Sequence, residues 1–139
     1  MKKMAVQQLH DYRILIVEDQ PEMRILIKDM LKDLGITQMF EAMDGKEAMV
    51  FLDDAIDLID LIICDWNMPR VTGVDVLRQL RSTGTDIPFL MITGRGDKSS
   101  VTEAKFCGVT AYIRKPFSPI ELEAKLRIIK HRSSQKTMA

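Results

Sequence analysis

Apolar side chains along this chain alternate between two rhythms. Short, nearly unbroken runs rich in Ile, Val and Leu occupy Arg13–Val17, Leu58–Cys64 and Pro88–Ile92, which is how strands buried on both faces read. Ile36–Phe40 and Ala111–Arg114 are weaker strand candidates, placed by their position between better-marked helices. Between the runs the period lengthens: Met23, Leu26, Ile27, Met30, Leu31 and Leu34 recur at helical steps after Pro21, a residue suited to a first helical turn, and Gly35 is a natural stop. Asp44 with Glu47 three positions on, and Ser118 followed by Pro119 and Glu121, are helix-start signals in which a side-chain oxygen accepts an otherwise unpaired amide hydrogen. They predict helices over Gly45–Asp53 and Pro119–Arg132. Val74, Leu77 and Leu80 mark another helix after Gly73, while Lys98–Phe106 is the thinnest, with only Val101, Ala104 and Phe106 available to a core.

Five strand–helix pairs in strict alternation predict an α/β fold, a doubly wound five-stranded parallel sheet with helices on both faces. Right-handed crossovers give the order 2-1-3-4-5, a flavodoxin-like topology. A length of 139 residues suits one such unit. It is expected over residues 13–132, between a flexible N-terminal extension (1–12) and a polar C-terminal tail (133–139). Lys plus Arg number 20 and Asp plus Glu number 20, so there is no overall positive field to draw the chain onto DNA or anionic lipid, and any partner must be recognised by a local site. No apolar run approaches the roughly 20 residues of a membrane helix, and the first lysines are followed by polar Gln7, Gln8 and His10, so a cytoplasmic protein is expected. Cys64 and Cys107 lack metal-type spacing and read as small apolar residues.

In open parallel sheets ligands bind beyond the carboxyl ends of the strands, where the crossover direction reverses. The first predicted strand runs into Glu18 and Asp19, the third into Asp65, the fourth into Thr93 and the fifth into Lys115. Three carboxylates at one rim repel one another unless protons or a cation intervene. Mg2+ answers that need, since it prefers oxygen ligands and would be satisfied by two or three of these carboxylates with a backbone carbonyl and water, whereas no His or Cys cluster suggests zinc. A metal beside a carboxylate and a lysine is the equipment of phosphoryl transfer, which needs positioning and charge neutralisation above all. Asp65 would be the nucleophile, Lys115 and Mg2+ would offset charge on the phosphoryl oxygens, and the Thr93 hydroxyl would bind one of them.

With these residues in view, the chain resembles the receiver domains of two-component response regulators, and among them the single-domain chemotaxis type. The resemblance spans about Arg13–Arg132 and rests on Val17-Glu18-Asp19, Asp65-Trp66-Asn67-Met68-Pro69 with Gly73, Met91-Ile92-Thr93, and Tyr112 ahead of Lys115-Pro116-Phe117. It implies a phosphoacceptor switch that takes its phosphoryl group from a sensor histidine kinase or histidine phosphotransfer protein and changes its surface toward a downstream protein target. It further implies that Asn67 lends its backbone carbonyl to the metal, that Lys115–Pro116 is a cis peptide, and that Thr93 and Tyr112 move together on phosphorylation. Asn67 and Arg95 would modulate the lifetime of the acyl phosphate. A monomer is expected, or a dimer when phosphorylated. Gly94 stands where such domains often carry alanine, and Thr110 and Ala111 replace acids that accompany dimerisation in many DNA-binding relatives.

Other readings stand beside this one. Taken alone, Glu18 and Asp19 read equally as acids at a helix start, Asp65 with Lys115 as a structural ion pair, and Thr93 as a turn residue. A phosphorelay shuttle, or a receiver cut from a larger regulator, would share the same motifs. A Mg2+-dependent phosphatase with an aspartyl nucleophile is the alternative from another class, but such enzymes typically place a second acid where this chain has Asn67. A flavin domain of the same topology would need a phosphate-cradling loop after the first strand.

Overall fold

The computed structural model describes residues 8–94 and 98–138, the side chains of 98 and 136–138 excepted. Strands and helices alternate as β1 (Arg13–Val17), α1 (Pro21–Asp33), β2 (Gln38–Ala42), α2 (Gly45–Ala55), β3 (Leu61–Asp65), α3 (Gly73–Ser82), β4 (Phe89–Thr93), α4 (Lys98–Phe106), β5 (Ala111–Arg114) and α5 (Pro119–Met138), with a 3-10 turn over Ile56–Leu58. The strands form one sheet in the order β2-β1-β3-β4-β5, every pair parallel. This is the doubly wound, flavodoxin-like arrangement that the alternating periods predict.

Each inner strand is apolar throughout because it feeds two cores. Ile14 and Ile16, Leu61 and Ile63, Leu90 and Ile92 face α1 and α5, where Ile27, Leu31, Leu122, Leu126 and Ile129 meet them. Leu15, Val17, Ile62, Cys64, Phe89 and Met91 face the opposite way, onto Ala48 and Leu52 of α2 and Val74, Leu77 and Leu80 of α3. Two-residue alternation within a strand therefore sorts an unbroken apolar run into two layers.

The element boundaries differ from expectation where backbone hydrogen bonds override hydrophobicity. Ile36 is fully buried but not in β2: its N–H bonds the Leu31 carbonyl (3.0 Å) while Gly35, at φ +87°, bonds Lys32 (2.9 Å), which closes α1. Strand β3 starts at Leu61 and not Leu58, because Ile59 bonds back to Ile56 (3.2 Å) and leaves Leu58 exposed. Pro88 lacks an N–H, and β4 begins at Phe89, whose amide is taken by the Thr110 hydroxyl (2.9 Å). Phe106 is not a core residue: it is 90% exposed, and Ala104 and Ser100 are the buried positions of α4.

The described residues of the two flanks pack against or extend the fold. Leu9 and Tyr12 are buried in the core, and Lys130 of α5 pairs with Asp11 (2.8 Å) and stands over the Tyr12 ring (5.2 Å from its centre). Residues 1–7 lie outside the described residues. No glycine or proline follows Arg132 until the chain ends, and α5 continues through the expected tail to Met138. Among the described residues, no helix is long and apolar enough to cross a membrane.

Candidate functional site

The ends of β1, β3 and β5 are each tied to a neighbouring strand by a backbone hydrogen bond that continues the ladder into the loops. The Glu18 amide donates to Ala42 (3.1 Å), Trp66 to Ile92 (2.8 Å) and Lys115 to Thr93 (2.8 Å). Residues that follow each strand are thereby held in register at one rim. The Lys115–Pro116 peptide is cis.

Glu18 and Asp65 are buried and Asp19 half-buried, and one carboxylate oxygen from each lies within 4.8 Å of the other two. The Lys115 ammonium stands 3.2 Å from Asp65 Oδ1 and 3.8 Å from Glu18 Oε1. Glu18 Oε2 accepts the Gln20 amide (3.1 Å). Three oxygens are left over: Glu18 Oε1, Asp19 Oδ1 and Asp65 Oδ1 are shielded from water and accept no hydrogen bond among the described residues. A buried carboxylate oxygen without a donor is costly, and three of them converging form a donor set for a hard cation. The cluster can hold a metal ion.

The titration of the cluster reflects the same frustration. Burial pushes the Glu18 carboxyl up to about 7; the Gln20 amide opposes this, Asp65 adds to it, and Lys115 opposes it. Asp65 is likewise raised by burial first, with Lys115 and the Asn67 amide pulling it down and Asp19 pushing it up. Burial also raises the neighbouring Cys64 thiol, which leaves it a neutral apolar filler.

Of the residues singled out from sequence, Glu18, Asp19, Asp65 and Lys115 come together directly. Thr93 is buried at the end of β4, its carbonyl bound to the Lys115 amide and its preceding residue paired with Asp65 in the sheet. Asn67 follows Asp65 on the rim with an exposed side chain. Tyr112 lies apart, half-buried in β5 against the core layer that includes Phe89 and Met91, with the Lys125 ammonium 5.5 Å from its ring centre. Arg95 lies outside the described residues.

Sequence reading passed over Arg24. Its Nη1 donates to the Glu18 carbonyl (2.7 Å) and its Nε to Glu41 Oε1 (3.1 Å). In the sequence it is one more polar position on an amphipathic helix; its offset of six residues from Glu18 was the available signal, since that spacing returns a long side chain from the first turn of α1 to the strand end.

Comparison with known proteins agrees with this geometry. The profile of the response regulator receiver domain matches residues 14–127. Chemotaxis protein CheY1 of Helicobacter pylori is 40% identical over 119 residues, which cover 84% of this chain and 95% of that protein. Chemotaxis protein CheY of Pseudomonas aeruginosa is also 40% identical, over 84% of this chain and 94% of its own length. The crystallised chemotaxis protein CheY4 of Vibrio cholerae superposes with a TM-score of 0.77 at 31% identity, covering 85% of this chain and 98% of that one. A receiver domain protein from Clostridium thermocellum gives a TM-score of 0.82 at 25% identity over 89% of this chain and 98% of its own. With two buried carboxylates, a third beside them and a lysine at the rim of this sheet, the chain belongs to the response regulator receiver domain family, whose role is phosphoacceptor signalling.

Proposed function

We propose that Asp65 is the phosphoacceptor and that the donor is a phosphohistidine on a sensor kinase or histidine phosphotransfer protein. An Asp65 carboxylate oxygen attacks phosphorus, the P–N bond breaks, and the departing imidazole nitrogen keeps the electron pair; the product is an aspartyl phosphate. Lys115, 3.2 Å from Asp65 Oδ1, offsets the charge that accumulates on the phosphoryl oxygens, and the Thr93 hydroxyl binds one of them. Glu18, Asp19, Asp65 and the Asn67 backbone carbonyl would hold Mg2+, which supplies further charge neutralisation and orients the phosphoryl group. The observation that supports this reading most is the convergence of three water-shielded carboxylate oxygens, more negative charge than the one Lys115 ammonium beside them offsets.

Phosphorylation would draw Thr93 toward the new group and turn Tyr112 inward, which alters the face made by α4, β5 and α5. Helix α4 suits that role, since its buried anchors are the small side chains of Ala104 and Ser100. The downstream target is a protein that reads this face; a direct DNA or membrane contact forms no part of the reading. Asn67 and Arg95 set how fast water removes the phosphoryl group. The protein works in the cytoplasm as a monomer, with dimerisation reserved for the phosphorylated form.

Incubation with acetyl phosphate and Mg2+ tests the proposal by intact mass. The wild-type chain gains one phosphoryl group that hydroxylamine removes, as it does from an acyl phosphate, and Asp65→Asn gains none. Equal labelling of both proteins removes Asp65 from its role, and sustained turnover of a simple phosphomonoester would favour an aspartyl phosphatase instead.

A further inference from the structure

Glu18 sits one residue beyond β1, where the sheet no longer supplies a partner for its carbonyl. That carbonyl belongs to the peptide that joins Glu18 to Asp19, so a group that holds it anchors the stretch of backbone from which both carboxylates extend. Its oxygen accepts a 2.7 Å hydrogen bond from Arg24 Nη1. The guanidinium is itself held: Arg24 Nε bonds Glu41 Oε1 at 3.1 Å, and Lys28 Nζ bonds the other oxygen of Glu41 at 2.9 Å. The Arg24 side chain is only 14% exposed, and its own amide bonds the Gln20 carbonyl at 3.0 Å, which fixes the base of the arm as well as its tip.

We propose that Arg24 is a positioning residue for the metal site, fixing the Glu18–Asp19 peptide plane and through it the aim of both carboxylates at the cation. The inference rests on the Mg2+ reading given above. Glu41 neutralises the arginine, and Lys28 on its other oxygen leaves the three side chains with one net positive charge, so removing Lys28 separates an effect of field from one of position. Lysine at position 24 would keep the charge and lose the fork that reaches the carbonyl and Glu41 from one rigid plane. Outer groups that orient metal ligands typically govern roughly 10–100-fold in metal affinity.

The test uses the full chain, with Mg2+ titrated against the fluorescence of Trp66 and Mn2+ against loss of the free-ion paramagnetic resonance signal. Arg24→Lys and Arg24→Gln are expected to weaken both ions about tenfold, measured under conditions where the metal-free melting curve shows each variant fully folded, so that a loss of aim is separated from a loss of fold. Lys28→Ala, which removes one positive charge nearby without touching Glu18, stays within about twofold of wild type. Wild-type affinity in Arg24→Lys would overturn the proposal, since charge alone would then suffice. A loss in Lys28→Ala equal to that in Arg24→Lys would overturn it too, as a general field effect. If the wild-type chain binds neither ion, the metal reading itself fails and this inference falls with it; the mutant comparison separates the two failures.

Discussion

At the scale of single residues, the structure opposes its own chemistry at Glu18. Its carboxyl ordinarily titrates near 4.5 and is pushed up to about 7 here, burial being the first cause. A raised carboxyl in the folded state binds protons that the unfolded chain releases, so its contribution is fully present below about 4.5 and is lost as pH rises to about 7. Asp65 shifts in the same direction. Asp11 and Glu41, held down by Lys130 and Lys28, have the opposite sign and lose their contributions only as pH falls below the ordinary carboxylate range. Metal-free protein should therefore lose on the order of 2 kcal/mol between pH 5 and 7 in denaturant titrations, and Glu18→Gln should flatten most of that slope. Arg70 carries strain of another kind: at φ +67° it is the centre of a three-residue turn in which the Val71 amide bonds the Pro69 carbonyl (2.7 Å). Glycine meets no Cβ penalty there, and Arg70→Gly should stabilise the fold by about 0.5–1 kcal/mol, read as a higher denaturant midpoint at unchanged slope. The carboxylates were legible in the sequence because an acid that ends an apolar run has nowhere to go but a strand end. Arg70 was not, since nothing in its side chain announces a left-handed backbone.

Elements were legible to the extent that one force dictated them. Strand β1 and helix α4 fall where the pattern places them, and Asp44 and Ser118 cap α2 and α5 as their chemistry predicts, each accepting the amide three residues on. Ile36 misled because burial and strand pairing are different properties: its side chain joins the core while its amide serves the end of α1. Helix α3 shows the converse, a contact the sequence marks but does not explain. Gly73 opens it with an ordinary φ, yet a Cβ there would lie 2.4 Å from the Asp65 carbonyl oxygen and 2.9 Å from Met91 Sδ, and its amide bonds Trp66 (2.9 Å). The helix start is thus packed directly against the backbone of Asp65 and Trp66. Gly73→Ala should cost about 1–3 kcal/mol by overpacking, and it should lower acetyl phosphate labelling of the fraction that remains folded, because relief requires Asp65 or α3 to move. Normal labelling with only a depressed melting temperature would show that α3 alone gives way.

The molecule as a whole joins these scales through the sheet order. Placing β1 beside β3 brings Glu18 and Asp19 to Asp65 across a long stretch of chain, and the cost of that meeting is spread over two apolar layers that have no part in the chemistry. Folding energy thus holds three mutually repelling groups in place, and anything that relieves the repulsion must stabilise the entire fold. Protons do so at low pH; the proposed Mg2+ would do so at high pH, in competition with them. Mg2+ should accordingly raise the melting temperature little at pH 5 and strongly at pH 8, by about 2.7 kcal/mol when present at a hundred times its dissociation constant. Asp19→Asn, which removes the half-buried member of the three carboxylates, should remove most of that increment while raising the metal-free melting temperature at pH 8, since one of the repelling charges is gone. Calorimetry with and without Mg2+ at the two pH values checks both statements. A rise of equal size at pH 5 and pH 8 would mean that the ion binds somewhere other than among these carboxylates, since only a site that also takes up protons makes the two effects compete.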